Sequence, residues 1–173
     1  MYKRQAHSGR LLQAQFRRRE PERLYLAIVH GVPEPDAGTW RNRVVLDEAA
    51  CIQREADPDD PRGEEAISHY RVLERFASSG PAGGAAVAAL LEVRLQTGKR
   101  NQIRFQAGVR GHVLAGEPRY LFGLDPHRAI RFPRQALHAC RLGFEHPHDR
   151  RALRFESPLP ADLAALVERL RRG

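Results

Sequence analysis

The sequence predicts an α+β fold, a mostly antiparallel mixed sheet with flanking helices. Arg23–His30, Thr39–Leu46, Ala66–Phe76 and Gln135–Phe144 read as strands, and over Leu91–Leu95 the apolar Leu91, Val93 and Leu95 alternate with Glu92 and Arg94 at a two-residue period. That is the pattern of strands with a buried face. Several of these stretches are joined by turn residues rather than by helices long enough for a crossover, so neighbouring strands are expected to run antiparallel. Helical spacing appears at Leu11–Phe16, Ile103–Arg110 and Ala161–Arg171.

Taken in order, the chain begins with Met1-Tyr2-Lys3-Arg4-Gln5, which does not match the character of the residues after it. Residues 1–10 are expected to be a non-native or disordered start. Leu11, Leu12, Gln15 and Phe16 give a short amphipathic helix ending in Arg17-Arg18-Arg19, and Glu20-Pro21 breaks it. Arg23–His30 carries Leu24, Leu26 and Ile28 on one face and Tyr25, Ala27 and Val29 on the other, so it is predicted to be a central strand. Gly31–Asp36 turns the chain into a second strand holding Trp40, and the two are expected to pair as an antiparallel hairpin. The acidic, proline-broken loop Asp57–Glu65 reads as solvated surface. Ala66–Phe76 resumes strand character, and Ser78–Gly84 reads as a hairpin loop before the strand that ends at Leu95. At the other end, Leu163, Leu166, Val167 and Leu170 mark the inward face of a terminal helix.

At 173 residues the chain is long enough for one domain with a real core. No apolar run approaches the roughly 18 residues of a membrane span. The start also lacks the apolar core of a secretory signal. Cys51 and Cys140 match no metal spacing and are expected to be reduced and buried in a cytoplasmic protein. The net charge of +8 comes mainly from arginine, the side chain suited to forked contacts with phosphate, and points to a polyanionic partner. Aromatic residues are few, which argues against a single-strand binder built on a stacking platform. His112, His138, His146 and His148 have neither zinc-finger nor zincin spacing, so no metal is expected.

Chemistry is expected at Leu95–Arg104, where a strand, a tight turn, a basic loop and a helix start meet. Thr97-Gly98 supplies the turn and a possible cap. Backbone N–H groups at the helix start beside Lys99, Arg100 and Arg104 would then favour an anion, and Gly111 can close the helix in a left-handed conformation. The segment Thr97-Gly98-Lys99-Arg100-Asn101-Gln102-Ile103-Arg104 resembles the Thr-Gly-Arg-x-His-Gln-Ile-Arg signature of the RluA-type RNA pseudouridine synthases. Further segments come in that family's order. Gly111–Glu117 with Tyr120 resembles Gly-His-Pro-x-x-Gly-Asp and its tyrosine. Leu137-His138-Ala139 with Leu142, Phe144 and His146-Pro147 is similar to the next strand, and Phe155 with Pro158–Leu163 to the closing segment. Upstream, Arg23–Gly31 resembles Lys-x-Tyr-x-Ala-x-Val-x-Gly, and the likeness runs from about Gln15 to Leu163.

The resemblance implies a pseudouridine synthase fold, incomplete at the N-terminus, with residues 11–173 forming part of the catalytic domain. It implies isomerisation of specific uridines in ribosomal or transfer RNA with no cofactor and no metal, by a cytoplasmic protein that is a monomer when complete. Carried over position by position, Tyr25 packs on the target base and Arg104 forms an ion pair with the nucleophilic aspartate. Lys99, Arg100, Asn101 and Gln102 are candidate RNA contacts. No Arg-Leu-Asp, the family's nucleophile motif, precedes Tyr25, and Asp125 in Gly-Leu-Asp-Pro is a look-alike in the wrong place. On this reading the chain alone is inactive, and Arg104 is a cation facing a pocket without its partner. An isolated partial sheet is expected to aggregate. The alternative is a non-catalytic RNA-binding protein derived from the same fold. Asn101, Gln106 and Glu117 depart from the family's usual residues.

Overall fold

The computed structural model describes residues 2–77 and 86–173. The chain runs α1 (Tyr2–Arg17), β1 (Glu22–His30), β2 (Ala37–Asp47), β3 (Ile52–Glu55), β4 (Glu64–Ala77), β5 (Ala86–Leu95), α2 (Gln102–Gly108), a 3-10 turn (Pro126–Arg128), β6 (Leu137–Glu145), β7 (Ala152–Glu156) and α3 (Ala161–Arg172). Among the described residues the strands form one sheet in the order β3-β2-β4-β5-β1-β6-β7. Every neighbouring pair is antiparallel, as the turn-linked alternation predicts.

β1 is central, paired with β5 along one edge and with β6 along the other. Its two apolar faces each meet a helix. Ala27 and Val29 pack with Leu91, Val93, Trp40 and Tyr70 beneath Ile103 and Ala107 of α2. Ile28 on the opposite face packs with Phe76, Ala88 and the α3 residues Leu163, Leu166 and Val167. Each fully buried aliphatic side chain of this kind contributes about 1.5–3 kcal/mol relative to exposure. The period of α3 therefore sets how it seats on the sheet.

The expected β1–β2 hairpin does not form. β2 pairs with β3 and β4, and two strands lie between it and β1. Gly31, at φ 66°, donates its N–H to Val87 O on β5, and Asp36 O accepts from Val72 N on β4. The connection thus crosses the ends of β5 and β4 and delivers β2 beyond them. A strand buried on both faces needs partners on both edges, and β5 and β6 supply them.

Other readings shift in extent. The first helix begins at Tyr2, upstream of the amphipathic stretch. Its Gln15 amide closes onto β6, donating to Glu145 O at 2.8 Å and accepting from Glu145 N at 3.1 Å. β3 and β7 are not legible as strands in the sequence. Both are short edge elements whose pairing comes from β2 and β6 rather than from their own pattern. Cys51 and Cys140 are free, but half-buried rather than buried. Ser78–Gly84, expected as a hairpin loop, lies outside the described residues.

Candidate functional site

The Thr97–Arg104 loop joins β5 to α2 on the sheet face that also carries Tyr25. Its anchors are polar and buried. Thr97, 1% exposed, accepts from Ile67 N at 2.7 Å and donates to Gln102 Oε1 at 2.8 Å. Gln102 Nε2 donates to Ile67 O and Ser68 Oγ, and its Oε1 also accepts from Lys99 N at 2.9 Å. One turn on, Gln106 Nε2 donates to Trp40 O and Ala66 O while its Oε1 accepts from Ser68 Oγ at 2.6 Å. Two glutamine amides therefore clamp α2 to β2 and β4. With every amide atom paired inside the fold, these groups rigidify the loop rather than burdening the core.

These bonds correct two expectations. Gln102 is directed inward and 3% exposed, so its side chain is a clamp and not an RNA contact. The helix start offers fewer free N–H groups than expected, because Lys99 N donates to Gln102 Oε1 and Gln102 N to Lys99 O, and its N-cap is Asn101, at φ 52°. Asn101 instead accepts from Arg104 Nη1 at 3.0 Å and donates to Tyr120 Oη at 3.4 Å. The expected left-handed Gly111 is present, at φ 79°, just beyond the end of α2.

Arg104 is not a lone cation. Its Nε and Nη2 donate to the two carboxylate oxygens of Glu117 at 2.7 and 2.6 Å, a forked ion pair with the Glu117 side chain fully buried. Glu117 also accepts from the N–H groups of Arg119 and Tyr120. Burial works to raise the Glu117 carboxyl, but Arg104 and the two N–H groups outweigh it and hold the pKa below the usual carboxylate range. The same pairing raises Arg104. Glu117 is visible in the sequence only as a substitution in the Gly-x-x-Gly-Asp segment. Thirteen residues separate it from Arg104, and no local period connects them.

A second arginine sits differently. Arg23, Arg17, Arg19, Phe16, Thr97 and Lys99 border a cleft of about 430 Å³ between the end of α1 and the Thr97–Lys99 turn, with Glu64 at its edge. Among the described residues Arg23 donates to Gln96 O at 3.3 Å and lies over the Phe16 ring, and its buried Nε has no partner. Burial, reinforced by nearby Arg19, lowers its pKa. A side chain at Gly98 would collide with this guanidinium, so glycine is what lets the turn lie against Arg23. Lys99 lines the same cleft and is ion-paired with Glu64, while Arg100 is exposed beside it.

Tyr25 is half-buried two residues along β1 from Arg23, packed against the Ala27–Leu91 cluster. It stands where the β1–β6 pairing shifts register, a local break of the kind that re-aims side chains. Thus Arg23, Tyr25, Lys99 and Arg104 gather around one side of the sheet, with Arg104 held toward Glu117. Asp125 lies elsewhere in the chain's course, accepting from His127 N at the start of the 3-10 turn. Among the described residues no group of three or more His, Cys, Asp or Glu side chains could hold a metal.

A seven-strand antiparallel sheet with α2 and α3 on opposite faces is the fold of the pseudouridine synthase domain. The human RNA pseudouridylate synthase domain-containing protein 4 superposes with a TM-score of 0.69 at 22% identity, over 94% of this chain and 67% of that one. The RNA pseudouridylate synthase family profile matches residues 4–107. An uncharacterized RNA pseudouridine synthase of Bacillus subtilis is 38% identical over 87% of this chain and 45% of its own length. The ribosomal large subunit pseudouridine synthase D of Nitrosomonas europaea is 39% identical over 92% of the chain and 44% of its own length. The chain belongs to the RNA pseudouridylate synthase family, and within it to the RluA type that the motifs resemble. It spans about half the length of the curated relatives it matches.

Proposed function

We propose that this chain forms part of an RNA pseudouridine synthase acting on ribosomal or transfer RNA in the cytoplasm. The reaction is an isomerisation. The N1–C1′ bond of a uridine breaks, C1′ rejoins the base at C5, and the displaced C5 proton is balanced by one at N1. The observation that carries the reading is the basic cleft of Arg17, Arg19, Arg23 and Lys99 on the side of the sheet where Tyr25 stands. The cations neutralise backbone phosphates, and phosphate contacts position an RNA without reading its sequence. Tyr25 then offers an aromatic face to a uracil taken out of its stack.

Arg104 has two roles in this reading. Glu117 and Asn101 take three of its five N–H donors and fix the plane of the guanidinium. The remaining N–H groups on Nη1 and Nη2 are left to meet a catalytic carboxylate. Residues 1–173 hold no Arg-Leu-Asp segment, so isomerisation requires an aspartate supplied in addition to them. The deciding experiment compares this chain with the protein extended along its own gene, scoring pseudouridine formed in ribosomal and transfer RNA. Activity of the extended protein, lost on Asp→Asn in its Arg-Leu-Asp and on Tyr25→Ala, is expected. RNA binding without isomerisation by the extended protein would instead leave a binding module.

A further inference from the structure

We infer that the hollow between β3 and the segment after Glu117 is a binding site for an unpaired nucleobase of the bound RNA, separate from the target-base position at Tyr25; this rests on the RNA reading above. The hollow measures about 280 Å³, ample for one base, and its walls are Gln53, Phe105, Val109, Tyr120 and Phe122. The rings are already arranged for stacking. Tyr120 and Phe122 lie nearly parallel, 18° apart with centroids 6.3 Å from each other, and Phe105 meets both edge-on. Phe122 is 51% exposed and Leu121 beside it 40%. Phe122 is also held at φ 41°, in the left-handed region that favours glycine. Backbone strain of this kind persists where the surroundings impose it, and it concentrates at ligand sites.

The second observation is polar. Gln53 is 6% exposed, and its Oε1 is buried with no hydrogen-bond partner among the described residues. Its backbone N–H is spent on Tyr120 Oη, at 2.8 Å. A buried amide oxygen without a donor is uncommon in folded proteins and calls for an N–H or O–H from outside. An aliphatic side chain would fit the walls and leave that oxygen unsatisfied. A sugar would supply a donor but no flat face. A nucleobase supplies both, an aromatic plane for Phe122 and an amine or imino N–H for Gln53. Arg54 and Arg119 at the rim match the flanking phosphates, with Glu55 the one rim carboxylate, itself accepting from Asn42 Nδ2.

Tyr120 connects the hollow to the site already described. Its hydroxyl accepts from Asn101 as well as from Gln53, and the Arg104 guanidinium carbon lies 5.3 Å from its ring centroid. A base seated against Phe122 is therefore connected through Tyr120 to Asn101 and Arg104, and would select sequence or loop context around the modified uridine.

The test uses single-stranded RNA oligonucleotides carrying 2-aminopurine or an abasic residue at one position, titrated against the full chain at low salt. Stacking in the hollow is expected to quench 2-aminopurine emission, and the abasic oligonucleotide is expected to bind about tenfold more weakly, the scale of one base-on-aromatic stack. Phe122→Ala, at an exposed ring, should abolish the quench and erase the difference between the two oligonucleotides. Gln53→Leu, which keeps the volume and removes the acceptor, should retain stacking but reduce the preference for bases with an exocyclic amine. Equal binding of the two oligonucleotides by the unsubstituted protein, or a quench that survives Phe122→Ala, would overturn the inference and assign the hollow to solvent or to a protein side chain. Absence of any RNA binding by the unsubstituted protein would overturn the RNA reading itself.

Discussion

Arg104 and Arg23 face the same region of the molecule and are treated in opposite ways by their neighbours. Arg104 is closed. A fully buried carboxylate takes two of its nitrogens, Asn101 takes a third, and the pairing raises its pKa. Arg23 is open, with one long bond to a carbonyl, a buried Nε left over, and a pKa lowered by burial. A guanidinium that already holds a carboxylate in a dry setting contributes order, whereas a half-buried one on a cleft without a counter-anion is ready for a phosphate. Of the two, the family motif points to Arg104, and the geometry adds Arg23.

Breaking the closed pair should have the largest effect. Glu117→Ala leaves Arg104 12% exposed with no anion, and removing one partner of a buried pair costs about 3–5 kcal/mol. Urea unfolding should show the midpoint fall with the slope preserved. Replacing both residues, Arg104→Met with Glu117→Leu, should recover most of the loss, because the stranded charge disappears with its partner. If Glu117→Ala costs under about 1 kcal/mol, the pair behaves as a surface bridge and the contrast with Arg23 fails.

Acid should reach the two regions unequally. Glu117 has a folded pKa below its ordinary 4.5, so its contribution is complete above that value and is lost as pH falls beneath it. Burial also lowers His30 and His112 from 6.5, so the unfolded chain takes up protons first and stability begins to decline as pH drops through 6.5. Unfolding midpoints against pH should therefore show two declines. Glu117→Gln shrinks the lower one and leaves the upper, the remainder of the lower decline coming from Asp60, Glu74 and Asp162, which arginine partners also hold below their ordinary values. Arg23, carrying no carboxylate, adds nothing to either.

Opening the comparison from the other side, Arg23→Ala should leave stability almost unchanged, since the loss of its packing against Phe16 is offset by the removal of a partly desolvated charge. RNA affinity at low salt should fall by about tenfold, and the slope of log K against log salt should become shallower by about one, as for a single lost phosphate contact. Unchanged RNA binding together with a lower melting temperature would make Arg23 structural.

The contrast also marks how far the sequence can be read. β1 is legible as central because Leu24–Val29 is apolar on both faces, and α3 because Leu163, Leu166 and Val167 repeat at helical spacing. The partner of β2 is not, because sheet order depends on how the Gly31–Asp36 connection crosses β5 and β4. The Thr-Gly-x-x-x-Gln segment is legible as a motif, yet the inward turn of Gln102 depends on Ile67 and Ser68, more than thirty residues earlier. Likewise Arg104 looks unpartnered in the sequence because its carboxylate comes from beyond α2. Arg23 enters the sequence reading only as a motif letter. Its importance arises from burial beside Gly98, which no spacing encodes.

The smallest expected effect tests whether the open side is truly open. Glu64 borders the Arg23 cleft and engages Lys99 in an ion pair, with the Glu64 side chain 65% exposed and that of Lys99 20%. A pair so accessible on its acidic side stabilises the fold by about 0–1 kcal/mol, so Glu64→Gln should hardly move the melting temperature. Its effect on RNA should have the opposite sign to Arg23→Ala. An arriving phosphate must displace or repel the Glu64 carboxylate; with glutamine there, Lys99 is released and the cleft gains one unit of positive charge. Affinity should rise by about two- to fivefold at low salt and converge with the unsubstituted protein at high salt, because the gain is electrostatic. A rise that depends on Arg23, vanishing in the Arg23→Ala background, would place Lys99 and Arg23 on the same phosphate. A rise independent of Arg23 would place them on different ones, and a fall would mean that Glu64 holds Lys99 in the position RNA requires.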